Sequence, residues 1–264
     1  KIMLNLSELT DKVRALAIEA GDFIREERKK FHREAIEKKH AHDYVSYVDK
    51  ESEKKIVTRL KELLPEAGFI AEEGSGTLND EQYCWLVDPL DGTTNFIHDN
   101  APYCVSIALR SKKELLLGVV YEICRNECFW TYKGAPSYLN GNEIHVSAIS
   151  NLDDSFIALG FPYATEEYKP MANHLVNTLY GNVAGLRLMG AAAVELCYIA
   201  AGRFEARIEA FIGPWDIAAG TIILQNAGGM ITDFKGGDSY SSGSQVLASN
   251  GRIHRDLLNI IDNL

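Results

Sequence analysis

The sequence predicts a mixed α/β fold in two halves: two helices against an antiparallel sheet, then an α/β layer. Three patterns point there. Apolar residues recur at three- and four-residue spacing in two stretches before Pro65. Beyond Phe96, four apolar strand candidates run in series, joined by short polar turns. From about Ser155 the rhythm changes to alternating strand and helix.

The first helix spans Ser7 to about Phe31. Leu9, Val13, Leu16, Ala17, Ala20, Phe23 and Ile24 form its apolar face, and Ser7 is its expected N-cap. The basic stretch Arg28–Lys39 ends that face and reads as a loop. A second helix, about Asp49 to Leu64, has Ile56, Val57, Leu60, Leu63 and Leu64 on one side and is stopped by Pro65. Gly68–Ala71 is a short strand that ends at Glu72-Glu73-Gly74, before a polar loop, Gly74 to Asp80. Cys84–Val87 is an uncharged strand that ends at Asp88. Tyr103–Arg110, Glu114–Glu122, Asn126–Lys133 and Glu143–Ser147 follow as a meander, and Asn140-Gly141 is a strong hairpin signal. The second half reads as strand Phe156–Leu159, helix Glu166–Leu179, strand Leu186–Met189 and helix Ala191–Ala201. Strand Phe204–Glu209, helix Trp215–Ala227, strands Met230–Thr232 and Val246–Ser249 and helix Ile253–Leu264 complete it. No repeat and no Pro/Ser-rich linker interrupts the chain. The halves, 1–150 and 151–264, are expected to pack as one compact unit with a boundary near 147–153.

A chain of 264 residues can bury a large core. Its 37 acids against 27 bases give a net charge of −10, which repels nucleic acid and anionic membranes. An anionic substrate would need a cation to be admitted. The five cysteines are odd in number and match no zinc spacing, so buried thiols in a reducing cytosol are expected. No apolar run approaches the roughly 18 residues of a membrane span. Lys1-Ile2-Met3 does not open a signal peptide, and Met3 reads as a start. These features predict a cytoplasmic protein that binds neither nucleic acid nor membrane.

The chemistry concentrates in Trp85–Phe96, WLVDPLDGTTNF. A buried strand delivers Asp88 and Asp91, with Pro89 stiffening a turn between them. Gly92-Thr93-Thr94 then opens a helix whose N–H groups suit a phosphate. Pro-Leu-Asp-Gly by itself is type I turn chemistry. A turn explains Pro89, Asp91 and Gly92 but leaves Asp88, at the end of a buried strand, without a purpose. Glu72, Asp216 and nearby Asp49 add further carboxylates, although Asp49 and Asp216 also read as helix N-caps. No histidine joins at ligand spacing. Oxygen-only sites favour Mg²⁺, Mn²⁺ or Ca²⁺ over Zn²⁺. Converging carboxylates repel, so a cluster implies bound cations, and two ions about 3.5–4 Å apart suit phosphate hydrolysis.

WLVDPLDGTTNF together with Gly213–Gly220, GPWDIAAG, resembles the inositol monophosphatase family of Mg²⁺-dependent, lithium-sensitive phosphatases. Gly160-Phe161-Pro162-Tyr163 resembles its bacterial branch. The resemblance covers nearly the whole chain. It implies a layered αβαβα sandwich of the inositol monophosphatase/fructose-1,6-bisphosphatase type, usually as a homodimer. It implies that Glu72, Asp88 and the Leu90 carbonyl hold one Mg²⁺, that Asp88, Asp91 and Asp216 hold a second, and that Glu72 helps with a third. Mn²⁺ is the alternative ion. Thr93, paired with Asp49, would orient the attacking water, with Glu72 completing the catalytic set. The Gly92 and Thr93 amides would meet the phosphate, Ala192 and Glu209 the inositol ring, and Asp91 would also contact the substrate. Lys38 is the expected site-flanking lysine. Glu205-Ala206 replaces the family's usual Asp-Ala pair, with Arg203 and Arg207 around it, which leaves ring specificity open.

The expected activity is hydrolysis of myo-inositol monophosphates, small phosphorylated polyols, by metal-activated water. Fructose 1,6-bisphosphate, 3′-phosphoadenosine nucleotides and histidinol phosphate are the rival substrates. Thr94 favours the inositol branch, because nucleotide phosphatases of this superfamily typically carry Lys there. A regulatory protein on a phosphatase scaffold and a plain metal-binding protein are the rivals of another class.

Overall fold

The structure is a computed structural model that describes residues 4–40, 43–76, 82–112, 114–163 and 165–263. Lys1–Met3, the far part of the Gly74–Asp80 loop and Leu264 lie outside the described residues. Helix α1 (Leu6–Lys29) buries the predicted stripe from Leu9 to Ile24, except that Phe23 is half-buried. Its N-cap is Asn5 and not Ser7: Asn5 Oδ1 accepts the Glu8 N–H at 3.2 Å. The basic stretch expected to loop instead forms β1 (Ile36–His40), antiparallel to β2 (Asp43–Ser46). Charged residues fill β1, so no apolar alternation announces it. Helix α2 (Tyr47–Leu63) begins earlier than expected, because Ser46 is its N-cap.

The first sheet holds β3 (Gly68–Ala71), β4 (Tyr83–Asp91), β5 (Cys104–Ser111), β6 (Glu114–Glu122), β7 (Glu127–Tyr132), β8 (Tyr138–Leu139) and β9 (Asn142–Glu143), side by side in chain order. The five-residue helix α3 (Thr93–Ile97) follows β4. The expected strand over Glu143–Ser147 is replaced by the small β8–β9 hairpin around Asn140-Gly141. The sheet is antiparallel as predicted except for one pair: β3 and β4 are parallel, with Ala71 opposite Val87. Parallel pairing brings the next residues of the two strands, Glu72 and Asp88, out at the same edge. An antiparallel pair would have sent them to opposite ends.

The second sheet has the order β11 (Gly185–Arg187), β10 (Phe156–Leu159), β12 (Ala206–Ile212), β14 (Ser244–Ser249), β13 (Met230–Thr232). β10 runs parallel to both of its neighbours, and the other pairs are antiparallel. Helices α5 (Ala192–Ala200) and α6 (Pro214–Asn226) lie between the sheets, and α4 (Thr165–Leu179) and α7 (His254–Asp262) cover the outer face. Three apolar cores result. One joins α1 and α2 to the first sheet, one surrounds α5 and α6, and one lies under α4 and α7. This is a layered αβαβα sandwich. None of the five cysteines is in a disulfide; three are buried, but Cys124 is exposed, against the expectation of burial for all. Among the described residues, no helix is long and apolar enough to cross a membrane.

Two glycines set the spacing of the central layer. A Cβ on Gly118 of β6 would lie 2.6 Å from Ile222 Cγ2 and 2.7 Å from the Ala219 carbonyl of α6. A Cβ on Gly220 of α6 would lie 2.7 Å from Leu196 Cβ of α5. The α6 backbone thus lies against the first sheet, and this seats Asp216 at the helix start. Gly118→Val should lower the unfolding free energy by about 1–3 kcal/mol through overpacking and weaken cation binding, since Asp216 moves with α6. Thermal unfolding and a Mg²⁺ titration that both match the parent would show that the layers absorb the change.

Candidate functional site

The site begins with an irregularity in β4. Asp88 pairs with Ser106 of β5 and Asp91 with Cys104, three steps on one strand against two on the other. This is a one-residue bulge. In a regular strand, residues three apart point to opposite faces. The bulge cancels that alternation, and both carboxylates face the same side. Pro89 sits in the bulge, where its missing N–H costs no ladder bond. The predicted turn between the two acids is therefore a bulged strand. Ser52 of α2 donates to the Pro89 carbonyl at 3.0 Å, and the Leu90 N–H donates to Asp88 Oδ1 at 3.0 Å. These bonds pin the bulge from both sides.

Asp49 and Asp216 are neither of them N-caps. Both occupy the third helical position and reach back to the residue that caps the helix. Asp49 Oδ2 accepts from the Ser46 N–H and hydroxyl at 2.8 and 2.7 Å. Asp216 Oδ2 accepts the Gly213 N–H at 2.7 Å. This is capping-box geometry, and it occupies one oxygen only. The other oxygen of Asp49 accepts the Thr93 hydroxyl at 2.7 Å. Thr93 Oγ1 also lies 3.1 Å from the Leu90 carbonyl. Asp91 is held by the Ala193 N–H in the first turn of α5, at 2.7 Å. Glu72 stands on a loop tied to α2, because Glu53 accepts the Glu73 and Ser75 N–H groups at 2.7 and 2.8 Å.

Carboxylate oxygens of Asp88, Asp91 and Asp216 lie within 4.8 Å of one another. Glu72 and Asp216 both lie within hydrogen-bonding reach of Asp88. Burial pushes all four carboxyls above the usual range, and for Asp88 the charges of Glu72, Asp91 and Asp216 add to it. Asp91 is raised to about 7, with the Ala193 N–H opposing the shift. An all-oxygen set of mutually repelling buried carboxylates fits Mg²⁺ or Mn²⁺. Lys39, and not the expected Lys38, is the flanking lysine. Lys39 Nζ lies 3.4 Å from Glu72 Oε1 and 2.5 Å from Glu73 Oε1, while Lys38 is exposed. Burial raises Glu73 to about 7 despite that ion pair.

The cluster forms the floor of a cleft of about 500 Å³. Leu90, Gly92, Thr93, Ala192 and Glu209 line it together with Glu72, Asp88, Asp91 and Asp216; Asp49 is buried behind Thr93. The residues singled out from the sequence thus converge, Asp49 at one remove, with the exception of Lys38. Asn95 donates to the Pro102 carbonyl at 2.7 Å and ties the floor to the second half through a bond of 2.7 Å to the Met189 carbonyl. Three supporting side chains were not foreseen, Ser52, Glu53 and Glu195, and Arg207, noted beside Glu205-Ala206, was given no contact there. Of the three, only Glu53 left a trace in the sequence, an acid at the four-residue spacing that places it on the same face of α2 as Asp49.

Layered fold and acidic cluster together define a metal-dependent phosphatase-type α/β protein. A sequence model of the inositol monophosphatase family matches residues 5–263, and the chain belongs to that family. It is 39% identical over 225 residues to the Nus factor SuhB of Pasteurella multocida, covering 84% of each chain. The inositol monophosphatase of Anabaena superposes with a TM-score of 0.89 at 30% identity, over 99% of this chain and 98% of that one. An inositol monophosphatase of Staphylococcus aureus, solved with inositol monophosphate bound, superposes with a TM-score of 0.81 at 25% identity, over 96% and 94%. The same S. aureus enzyme has also been solved with 2′-AMP bound.

Folded-state values above the unfolded ones mean that the cluster favours the fold only when protonated. That contribution is complete below about pH 4, the unfolded value, and is lost as the pH rises through about 7 for Asp91; Asp88 and Asp216, also raised well above the usual carboxylate value, act in the same direction. Metal-free protein should therefore melt at progressively lower temperature from pH 5 to pH 8. Saturating Mg²⁺ should flatten that slope, with protons released on binding near pH 7. Parallel melting curves with and without Mg²⁺ would show that these carboxylates do not hold the ion.

Proposed function

We propose that this protein is a Mg²⁺-dependent phosphomonoesterase acting on myo-inositol monophosphates. The observation that carries the reading is the 2.7 Å bond from the Thr93 hydroxyl to Asp49, set beside the acidic cluster. Binding a cation requires neither residue; aiming a water molecule requires both.

Glu72, Asp88, Asp91, Asp216 and the Leu90 carbonyl would hold two or three Mg²⁺, with Mn²⁺ as the alternative. When bound, the ions supply positive charge against the phosphate and make water a stronger acid. The chain's own residues do the rest. Asp49 accepts the Thr93 proton, so the Thr93 oxygen offers its lone pairs to the attacking water and aligns it with phosphorus. The Gly92 and Thr93 amides, at the floor of the cleft, receive phosphate oxygens. Ala192 and Glu209 border the alcohol side. The water oxygen bonds to phosphorus as the ester P–O bond breaks, and the polyol departs as the alcohol after gaining a proton. The homodimer implied by the family and the cytoplasmic location expected from the cysteines and composition belong to the same proposal. The absence of disulfides agrees with a reducing compartment.

A second reading is a regulatory protein on this scaffold. It is supported by relatives that are Nus factors, such as the one from P. multocida. The acidic composition opposes direct RNA binding.

The test is phosphate release, with and without Mg²⁺, from inositol 1-phosphate, fructose 1,6-bisphosphate, adenosine 3′,5′-bisphosphate and histidinol phosphate. The expected result is Mg²⁺-dependent turnover with inositol 1-phosphate preferred. Asp88→Asn should lower kcat at least 100-fold with the circular dichroism unchanged. No release from any substrate by protein that binds Mg²⁺ would favour the regulatory reading.

A further inference from the structure

A buried arginine at the alcohol end of the cleft has no part in the chemistry above. Arg207 lies near the start of β12, is 2% exposed, and lines the cleft. Its Nε donates to Glu195 Oε2 at 2.5 Å, and its Nη2 donates to Glu209 Oε2 in a close ion pair. Glu195 is fully buried on α5, and its second oxygen accepts the Met189 N–H at 3.1 Å. Gly160 packs so closely on Glu209 that a Cβ there would overlap the carboxyl group. Glu209 is therefore held from two sides. The last amino group, Arg207 Nη1, is buried and has no hydrogen-bond partner among the described residues.

An unmet donor on a buried guanidinium is costly, and beside a cleft an oxygen brought by a ligand can meet it. The charge balance says which oxygen. One guanidinium faces two carboxylates, Glu195 and Glu209, so this end of the cleft is net negative even before the Asp cluster is counted. A second phosphate would be repelled there. A hydroxyl would be accommodated, because it can accept from Nη1 while donating to Glu209.

We propose that Arg207 is a specificity-determining residue: with Glu209 it forms a fixed donor–acceptor pair that reads the uncharged, hydroxyl-bearing end of a phosphomonoester and disfavours bisphosphates. This rests on the phosphomonoesterase reading for its substrate and on the geometry of β12 for its residue.

Arg207→Met alone would strand the Glu195 carboxylate in the core. The test therefore uses Arg207→Lys and the double variant Glu195→Gln/Arg207→Met, each checked for a parental melting profile. Kinetics on inositol 1-phosphate, fructose 1,6-bisphosphate and 4-nitrophenyl phosphate, which lacks hydroxyls, are compared. For the double variant, kcat/KM on inositol 1-phosphate relative to 4-nitrophenyl phosphate should fall at least tenfold, through KM and not kcat. Its preference against fructose 1,6-bisphosphate should weaken, and Arg207→Lys should recover part of both effects. Unchanged ratios in both variants, or a loss confined to the bisphosphate, would overturn the assignment; the second result would make Arg207 a phosphate receptor. Calorimetric binding of the methylenephosphonate analogue of inositol 1-phosphate, with Mg²⁺, separates the two proposals. Wild-type protein that binds the analogue but hydrolyses nothing would sink the phosphatase reading alone. Equal affinity in wild type and double variant would sink this one.

Discussion

Repulsion among Glu72, Asp88, Asp91 and Asp216 opposes the folding of this chain, and much of the surrounding structure serves to bear it. Asp88 and Asp91 are buried, and Glu72 and Asp216 are only half-buried, so solvent compensates part of it at most. Asp216 leans on the N–H at the start of α6, Asp91 on an N–H in the first turn of α5, and Asp88 on the Leu90 N–H. The first two bonds lie where helix dipoles favour negative charge. Glu72 has Lys39 beside it. Each device recovers part of the desolvation cost of one carboxylate and none removes the mutual repulsion. The remainder is available to a cation, which gains in binding what the fold gives up in holding the acids together.

The layered architecture follows from the same demand. Glu72 follows β3, Asp88 and Asp91 belong to the next strand, β4, and Asp216 comes from α6 in the other half of the chain. They meet because β3 and β4 are parallel and because Gly118 and Gly220 let α6 settle closely between the sheets. The central helices are apolar around most of their circumference, as their position between two sheets requires.

Most of the site was legible in the sequence because it is written in consecutive residues: Asp88 to Thr93 form one run, and Asp216 follows Pro214-Trp215. Helices α1 and α2 were legible from their apolar spacing. What was missed depends on partners that are distant in the chain. The β1–β2 pair carries charge where a strand signal carries apolar residues, and that hid the lysine that reaches Glu72. Pairing direction is invisible to periodicity, so β3 was expected to run antiparallel. The bulge looked like a turn, since Pro, Asp and Gly suit either. The Arg207 network joins α5 to β12, and nothing in the spacing of Glu195 and Arg207 foretells that they meet.

The bulge in β4 also bears on how such a protein can change. Strand alternation has two states only, so the position of Asp91 behaves like a parity bit. Losing or gaining one residue between Asp88 and Asp91 would turn the second acid, and the Gly92–Thr93 segment after it, to the opposite side in a single step. No graded path of insertions leads away from this floor. The cleft's other wall is built differently, from the Gly160–Tyr163 loop and the end of β12, where ordinary side-chain substitution alters shape and charge without disturbing the ladder. Diversification in descendants of this fold is therefore channelled to the wall that meets the alcohol, while the floor that meets the phosphate is inherited whole or lost.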